Sequence, residues 1–121
     1  MLIKDLYKIR SFDAENNSIK AVIYIIKEHK IFAGHFPNNP VMPGVCMIQI
    51  IKELTEKVLG AKLFMSKATN VKFMALINPE TNPEQVIDIQ IEKVQNDLKV
   101  KSTFQFDETI ALKFNGVFNP A

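Results

Sequence analysis

Between Pro43 and Gly60 the chain runs from Gly44 to Leu59 without a proline or a β-turn signal. The spacing predicts one helix there, stopped by Gly60, because glycine takes the left-handed conformation that closes a helix at little cost. In its first half Val45, Cys46, Met47, Ile48, Ile50 and Ile51 cover nearly every direction around the axis. A helix of that kind is expected to be surrounded by protein rather than laid on a surface. The second half turns amphipathic, with Lys52, Glu53, Glu56 and Lys57 on a polar side and Leu54 and Val58 opposite.

Strands flank this helix on both sides. Ile19–Ile26 is β-branched and apolar, as a covered strand requires, and the turn-like Ala14–Asn17 makes Tyr7–Asp13 its hairpin partner. After the helix, Lys62–Phe73 has moderate β character, and Ile77–Glu84 breaks the pattern with two prolines. Val86–Val94 then alternates strictly: Ile87, Ile89 and Ile91 point one way, Asp88, Gln90 and Glu92 the other. Gln95–Asp97 turns, Leu98–Phe106 alternates again, Asp107–Glu108 turns, and Ile110, Leu112 and Phe114 mark the inner face of a last strand. Two strands, one enclosed helix and a meander of about four strands predict a single α+β domain over residues 1–121, its antiparallel sheet wrapped on the helix. The edges of such a sheet are commonly joined to a second copy.

Composition narrows the function. With 15 basic and 13 acidic side chains spread along its length, the chain carries a net charge of only +2 and no basic block, so nucleic acid is not an expected partner. No apolar run reaches the ~20 residues that span a bilayer, the first ten residues do not resemble a signal peptide, and the lone cysteine, Cys46, suits a reducing cytoplasm. No spacing of His, Cys, Asp and Glu suggests a metal site.

The chemistry concentrates in GHFPNNPVMPGV, Gly34–Val45. His35 sits in a loop restricted by Pro37, Pro40 and Pro43, which can hold an imidazole at low entropic cost as a general base requires. The competing reading is a histidine that only bonds a backbone carbonyl. Gly44 falls at the first turn of the helix, where free N–H groups and the positive helix end stabilise negative charge; the competing reading there is a simple turn glycine. A fixed base near a helix N-terminus suits enolate chemistry beside a carbonyl. His29 reads as a surface residue and Cys46 as packing.

GHFPNNPVMPGV resembles the active-site segment of the 3-hydroxyacyl–acyl-carrier-protein dehydratases of type II fatty-acid synthesis: a histidine, Phe-Pro, a short spacer, Pro, two residues, Pro-Gly and then the central helix. His35, Phe36, Pro37, Pro40, Pro43 and Gly44 stand in those places, and Asn70–Glu80 resembles the strand that follows the family's helix. The resemblance runs roughly from Ile19 to Phe118 and implies a hotdog fold, cytoplasmic homodimers and trimers of dimers. It also implies dehydration of a (3R)-hydroxyacyl thioester on acyl carrier protein, with no cofactor beyond the substrate's phosphopantetheine. By that analogy His35 is the base, the Gly44 amide polarises the thioester carbonyl, and Phe36, Pro37, Met42, Pro43, Val45, Met47, Phe73 and Met74 contact the acyl chain. Lys62, Lys67, Lys72 or Arg10 would meet an acidic carrier.

Two departures from the family stand out. The family's Pro-His-Arg-x-Pro-Phe stretch is missing before the motif. The family acid, fourteen residues after the histidine, is Gln49 here, whereas Glu53 occupies the place of the family's glutamine four residues on. Acid and amide read as exchanged, with Glu53 supplying the carboxylate directly or through Gln49, or with His35 both removing and returning the proton while Gln49 orients the hydroxyl. The alternatives are a hotdog thioesterase that uses Glu53 to activate water, and a catalytically impaired acyl- or carrier-binding subunit.

Overall fold

A computed structural model of the chain describes residues 5–34 and 40–121. Two strands, β1 (Tyr7–Glu15) and β2 (Ser18–Ile25), precede a short helix α1 (Ile31–Gly34) and the long helix α2 (Gly44–Leu59). Four more strands follow: β3 (Leu63–Phe73), β4 (Glu84–Val94), β5 (Asp97–Phe106) and β6 (Thr109–Pro120). They form one antiparallel sheet in the order β1-β2-β4-β5-β6-β3, so β1 and β3 are its two edges.

Turn residues set the register. Asn16 and Asn17 both take positive φ (49° and 67°), the conformation a two-residue hairpin needs for its twist to match the strands, and the turn pairs Glu15 with Ser18. Gln95 and Asp107 do the same service at positive φ for the β4–β5 and β5–β6 turns. Once register is fixed, alternation decides which side chains face inward. Ile19, Ala21, Ile23 and Ile25 of β2, Ile87, Ile89 and Ile91 of β4, and Leu98, Val100 and Phe104 of β5 are buried in one core with Cys46, Met47, Ile50, Ile51 and Leu54 of α2. A one-residue slip would turn every one of these strand side chains outward.

The helix bounds agree with the sequence reading. Gly60 is left-handed (φ 65°) and its N–H closes the last turn on the Glu56 carbonyl at 2.8 Å. Glu56 also accepts the Leu63 N–H at 2.8 Å, and Lys52 donates to the Leu63 carbonyl, so the start of β3 is tied to the helix flank. Two expectations need correction. The first half of α2 is not enclosed by its own chain: Val45 is 71% exposed, because the sheet ends at β3 and leaves one helix stripe without a cover. His29 is not a bland surface residue, since its Nδ1 accepts the Ile31 N–H at 3.0 Å and opens α1, a helix the sequence pattern does not announce.

On the inner face of β6, Phe114 and Phe118 lie nearly parallel, 6.1 Å apart, with Gly116 between them in sequence. A Cβ on Gly116 would meet Phe114 Cζ at 2.5 Å and the Lys67 carbonyl of β3 at 2.9 Å. The ring and the paired backbone leave no room to relax, so Gly116→Ala is expected to destabilise the fold by about 1–3 kcal/mol, read as a lower urea midpoint with an unchanged slope.

Candidate functional site at the open end of the central helix

The N-terminus of α2 is capped by Pro43 in extended conformation, without a side-chain hydrogen bond. The Pro43 carbonyl accepts the Cys46 and Met47 N–H groups, which leaves the Gly44 and Val45 amides at the helix opening. No acidic side chain occupies the first turn, so the positive end of the helix is not neutralised from within the helix. Against this opening lies Phe73, the last residue of β3. A Cβ on Gly44 would stand 2.5 Å from Phe73 Cζ and 2.7 Å from Cε1, so the missing Cβ is filled by an aromatic ring that is itself about half exposed.

From that opening the uncovered stripe of α2 runs through Val45, Ile48, Gln49 and Lys52, at the i, i+3, i+4 and i+7 spacing of one helix face. With Phe64 and Met65 of β3 and Phe118 of β6 these residues line a cavity of about 300 Å³. A larger depression, about 830 Å³, lies on the other face of the sheet among Lys67, Glu92, Asp97, Lys99 and Lys101; of the sequence candidates only Lys67, a carrier-facing one, lines it.

Behind Gln49 the helix carries a second polar cluster, apart from the Lys52 and Glu56 contacts to Leu63. Gln49 Nε2 donates to Glu53 Oε2 at 3.0 Å, and the Tyr7 hydroxyl, from β1, donates to Glu53 Oε1 at 2.8 Å. Both oxygens of one carboxylate are therefore engaged. Burial, and next the Glu53 carboxylate that its hydroxyl bonds, push the Tyr7 phenol well above the ordinary tyrosine range, which keeps it a neutral donor. Burial, with Glu53 adding to it, also pushes the Cys46 thiol up, so Cys46 is packing rather than a nucleophile.

The family model of the ApeI-like dehydratases, described as ApeI dehydratase, matches residues 11–116. The chain belongs to the ApeI-like dehydratase family. It is 35% identical over 72 residues to the 3-hydroxyacyl–acyl-carrier-protein dehydratase FabZ of Rickettsia felis, an overlap of 53% of this chain and 50% of that one. To the FabZ of Fusobacterium nucleatum subsp. nucleatum it is 28% identical over 101 residues, 79% of this chain and 70% of the relative. The matched stretch thus spans from about half to about two thirds of the length of these curated relatives. The fold is similar to that in the dehydratase heterocomplex ApeI:P from Xenorhabdus doucetiae, with a TM-score of 0.80 at 18% identity over 93% of this chain and 96% of the other. An antiparallel sheet around a central helix is the hotdog architecture that the sequence motif implied.

Of the candidate residues, the structure brings Gln49 and Glu53 together and sets Gly44, Pro43, Val45 and Phe73 around the helix opening. Met74 is about half exposed just beyond Phe73, whereas Met42 and Met47 are buried in the core. His35, Phe36 and Pro37 lie outside the described residues. Among the carrier-facing candidates, Lys62 and Lys72 are exposed at β3, Lys67 lines the depression on the far face, and Arg10 stacks over Tyr24. No group of His, Cys, Asp and Glu among the described residues could hold a metal ion, and no helix there is long and apolar enough to cross a membrane. Sequence reasoning missed Tyr7, since nothing local in β1 signals a contact with a helix residue 46 positions away.

The Tyr7 interaction has a pH signature. A phenol whose folded-state pKa is raised contributes stability that is fully present below its unfolded value, about 10, and is lost as pH rises through the folded value. The stability advantage of the native protein over Tyr7→Phe should therefore be constant from neutral pH to about pH 10 and shrink above it, measured by urea unfolding across that range.

Proposed function

We propose that the chain dehydrates a (3R)-hydroxyacyl thioester carried on acyl carrier protein to the trans-2-enoyl thioester. The observation that carries this reading is the Gln49–Glu53 pair, 3.0 Å apart beside an apolar cavity at the open N-terminus of α2, in a chain of a dehydratase family. The phosphopantetheine arm belongs to the substrate and brings the acyl chain into that cavity.

In this mechanism His35 accepts the α-proton, and the electron pair left behind forms an enolate whose oxygen is held by the helix-end amide of Gly44. The enolate then re-forms the carbonyl and expels the β-hydroxyl, which takes the proton back from the imidazolium and leaves as water. Helical side chains lean towards the N-terminus, so Gln49 reaches from one turn away over the space in front of Val45 and can hold that hydroxyl. Glu53, with both oxygens accepting hydrogen bonds, acts as the carboxylate that orients Gln49.

The uncovered stripe and the β3 edge, with Val45, Phe64, Met65, Phe73, Met74 and Leu76 exposed, take a second copy of the chain as their cover. A cover by a related hotdog subunit is the second reading, favoured by an amide standing where the family carries its acid.

The test is product analysis with a carrier-bound 3-hydroxyacyl thioester. Enoyl product is expected from the native protein and none from His35→Ala. Glu53→Gln should lower kcat/KM by at least about tenfold, the equivalent of 1.4 kcal/mol of transition-state stabilisation. Free acid would assign a thioesterase instead, and turnover only after a homologous subunit is added would assign the second reading. Sedimentation should give a dimer that becomes a monomer when Phe64 and Met65 are both replaced by lysine.

A further inference from the structure

The lysines of this chain gather on one face of the sheet. β5, β6 and β3, neighbours in the strand order, hold Lys67, Lys72, Lys99, Lys101 and Lys113 and a single acidic residue, Asp97. These strands are thus +4 in a chain whose net charge is +2, and the remainder is net acidic. The register sets the five lysines on the outer face, away from α2, in three successive rows. Lys99, Val117 and Lys67 form the first, Lys101, Asn115 and Asn70 the second, and Thr103, Lys113 and Lys72 the third. All five lysines are exposed, and none forms an ion pair with a carboxylate among the described residues. Lys72 and Lys113 stand directly opposite each other, an arrangement that weakens the pairing of the isolated chain.

The first two rows line the depression of about 830 Å³. Its hollow shape originates in β3, where register shifts at Ser66 and Thr69 insert two bulges. A bulged strand bends and twists more strongly, and Thr69 ties the bend down by donating to the Asn115 carbonyl at 3.1 Å. Ser66, Lys67, Thr69 and Asn70 form one wall and Gln90 and Glu92 of β4 the other, with β5 and β6 between them. Three strand spacings make that width about 14 Å, and an α-helix with its side chains needs about 10–12 Å. The rows recur about every 7 Å along the strands, close to the ~6 Å rise between helix residues four apart.

We propose that this hollow docks an acidic helix of a partner protein, lying along the strands with carboxylates at every fourth residue facing the lysine rows. The rows contain no aromatic side chain and no arginine, so they lack the stacking and bidentate phosphate contacts by which nucleic acid is gripped. A flat membrane does not enter a hollow. A second copy of the chain does not supply the helix. Among the described residues the only helix acids are Glu53 and Glu56, already bound by Tyr7, Gln49, Lys52 and the Leu63 N–H. The occupant is not the carrier of the proposed reaction either, since hollow and cavity lie on opposite faces of the sheet. The inference therefore stands apart from the dehydratase reading.

The experiment titrates the full chain with a fluorescent peptide of about 20 residues, cross-linked to stay helical, with glutamate at every fourth position among alanine and glutamine. A scrambled peptide of the same composition and vesicles of phosphatidylserine and phosphatidylcholine, one to three, are the comparisons. The striped peptide should bind at least about fivefold more tightly than the scramble, and added salt should weaken it. Lys99→Gln with Lys101→Gln should weaken binding about fivefold. Lys27→Gln with Lys30→Gln removes the same charge outside these strands and should change nothing. Lys113→Gln should bind less well yet melt no lower than the native protein, since a like-charge pair is gone. In the native protein the peptide should move the backbone amide resonances of Lys67, Lys99, Lys101 and Asn115 and leave those of Val45 and Gln49 in place. No binding of the striped peptide, or equal binding of the two peptides, overturns the proposal. So does equal loss from the two double variants, displacement of the striped peptide by vesicles, or resonance changes confined to α2. The resonance experiment needs only the native protein, so it decides even where a variant fails to fold.

Discussion

The structure depends on one act of burial, a curved antiparallel sheet closing on the apolar side of α2. Ile and Phe side chains from β2, β4, β5 and β6 are brought to the helix by strand alternation, and Cys46, Met47, Ile50, Ile51 and Leu54 meet them. Each large side chain fully buried this way is worth about 1.5–3 kcal/mol against exposure, so the helix cannot turn about its axis without losing several of them. That fixed rotation decides where the polar residues of the helix go. Gln49, Lys52, Glu53 and Glu56 are forced to the two seams where the sheet ends, Glu53 against β1 and Lys52 and Glu56 against β3.

The two seams are finished differently. On the β3 side, Glu56 and Lys52 serve the backbone of Leu63 and hold an edge strand whose outer rim carries exposed Phe64 and Met65. A row of unpaired backbone with large apolar side chains beside it is a surface that demands a partner. On the β1 side, Tyr7 crosses to Glu53, and Lys57 sits over the Phe12 ring, so that seam is closed by this chain alone. The asymmetry puts the cavity on the open side, next to Lys52, and the Tyr7–Glu53 bond on the closed one.

Much of this was legible in the sequence because its signals are local. Pro43 and Gly60 bracket α2, Asn16–Asn17 and Gln95 mark hairpins through their tolerance of positive φ, and the alternation of Ile87, Ile89 and Ile91 gives the face of β4 directly. The Gln49–Glu53 contact was readable as well, since residues four apart share a helix face. What could not be read is what depends on the path of the whole chain. Val45 and Ile48 look like core by composition, yet whether a helix stripe is covered depends on where the sheet stops. Gly44 reads as a helix-end amide with room for a carbonyl oxygen, or as a simple turn glycine, yet the space of its missing Cβ is taken by the ring of Phe73 from the far end of β3. Tyr7 belongs to an edge strand whose sequence carries no hint of a helix carboxylate across the fold.

The placement of an amide at Gln49 and a carboxylate at Glu53 has a physical logic of its own. The position of Gln49 faces Val45, Ile48, Phe64, Met65 and Phe118, and it will lose its water when an acyl chain or a second protein surface covers the stripe. A charge there would have to be desolvated among apolar groups, at a cost far above that of a neutral amide with a partner. One turn further along, Glu53 sits between a phenol and an amide nitrogen, two donors that replace the lost water. The carboxylate therefore sits where donors are built in, and the neutral amide lines the apolar space. On the dehydratase reading proposed above, a carboxylate kept in this region but off the cavity wall would spare substrate binding the heaviest desolvation cost.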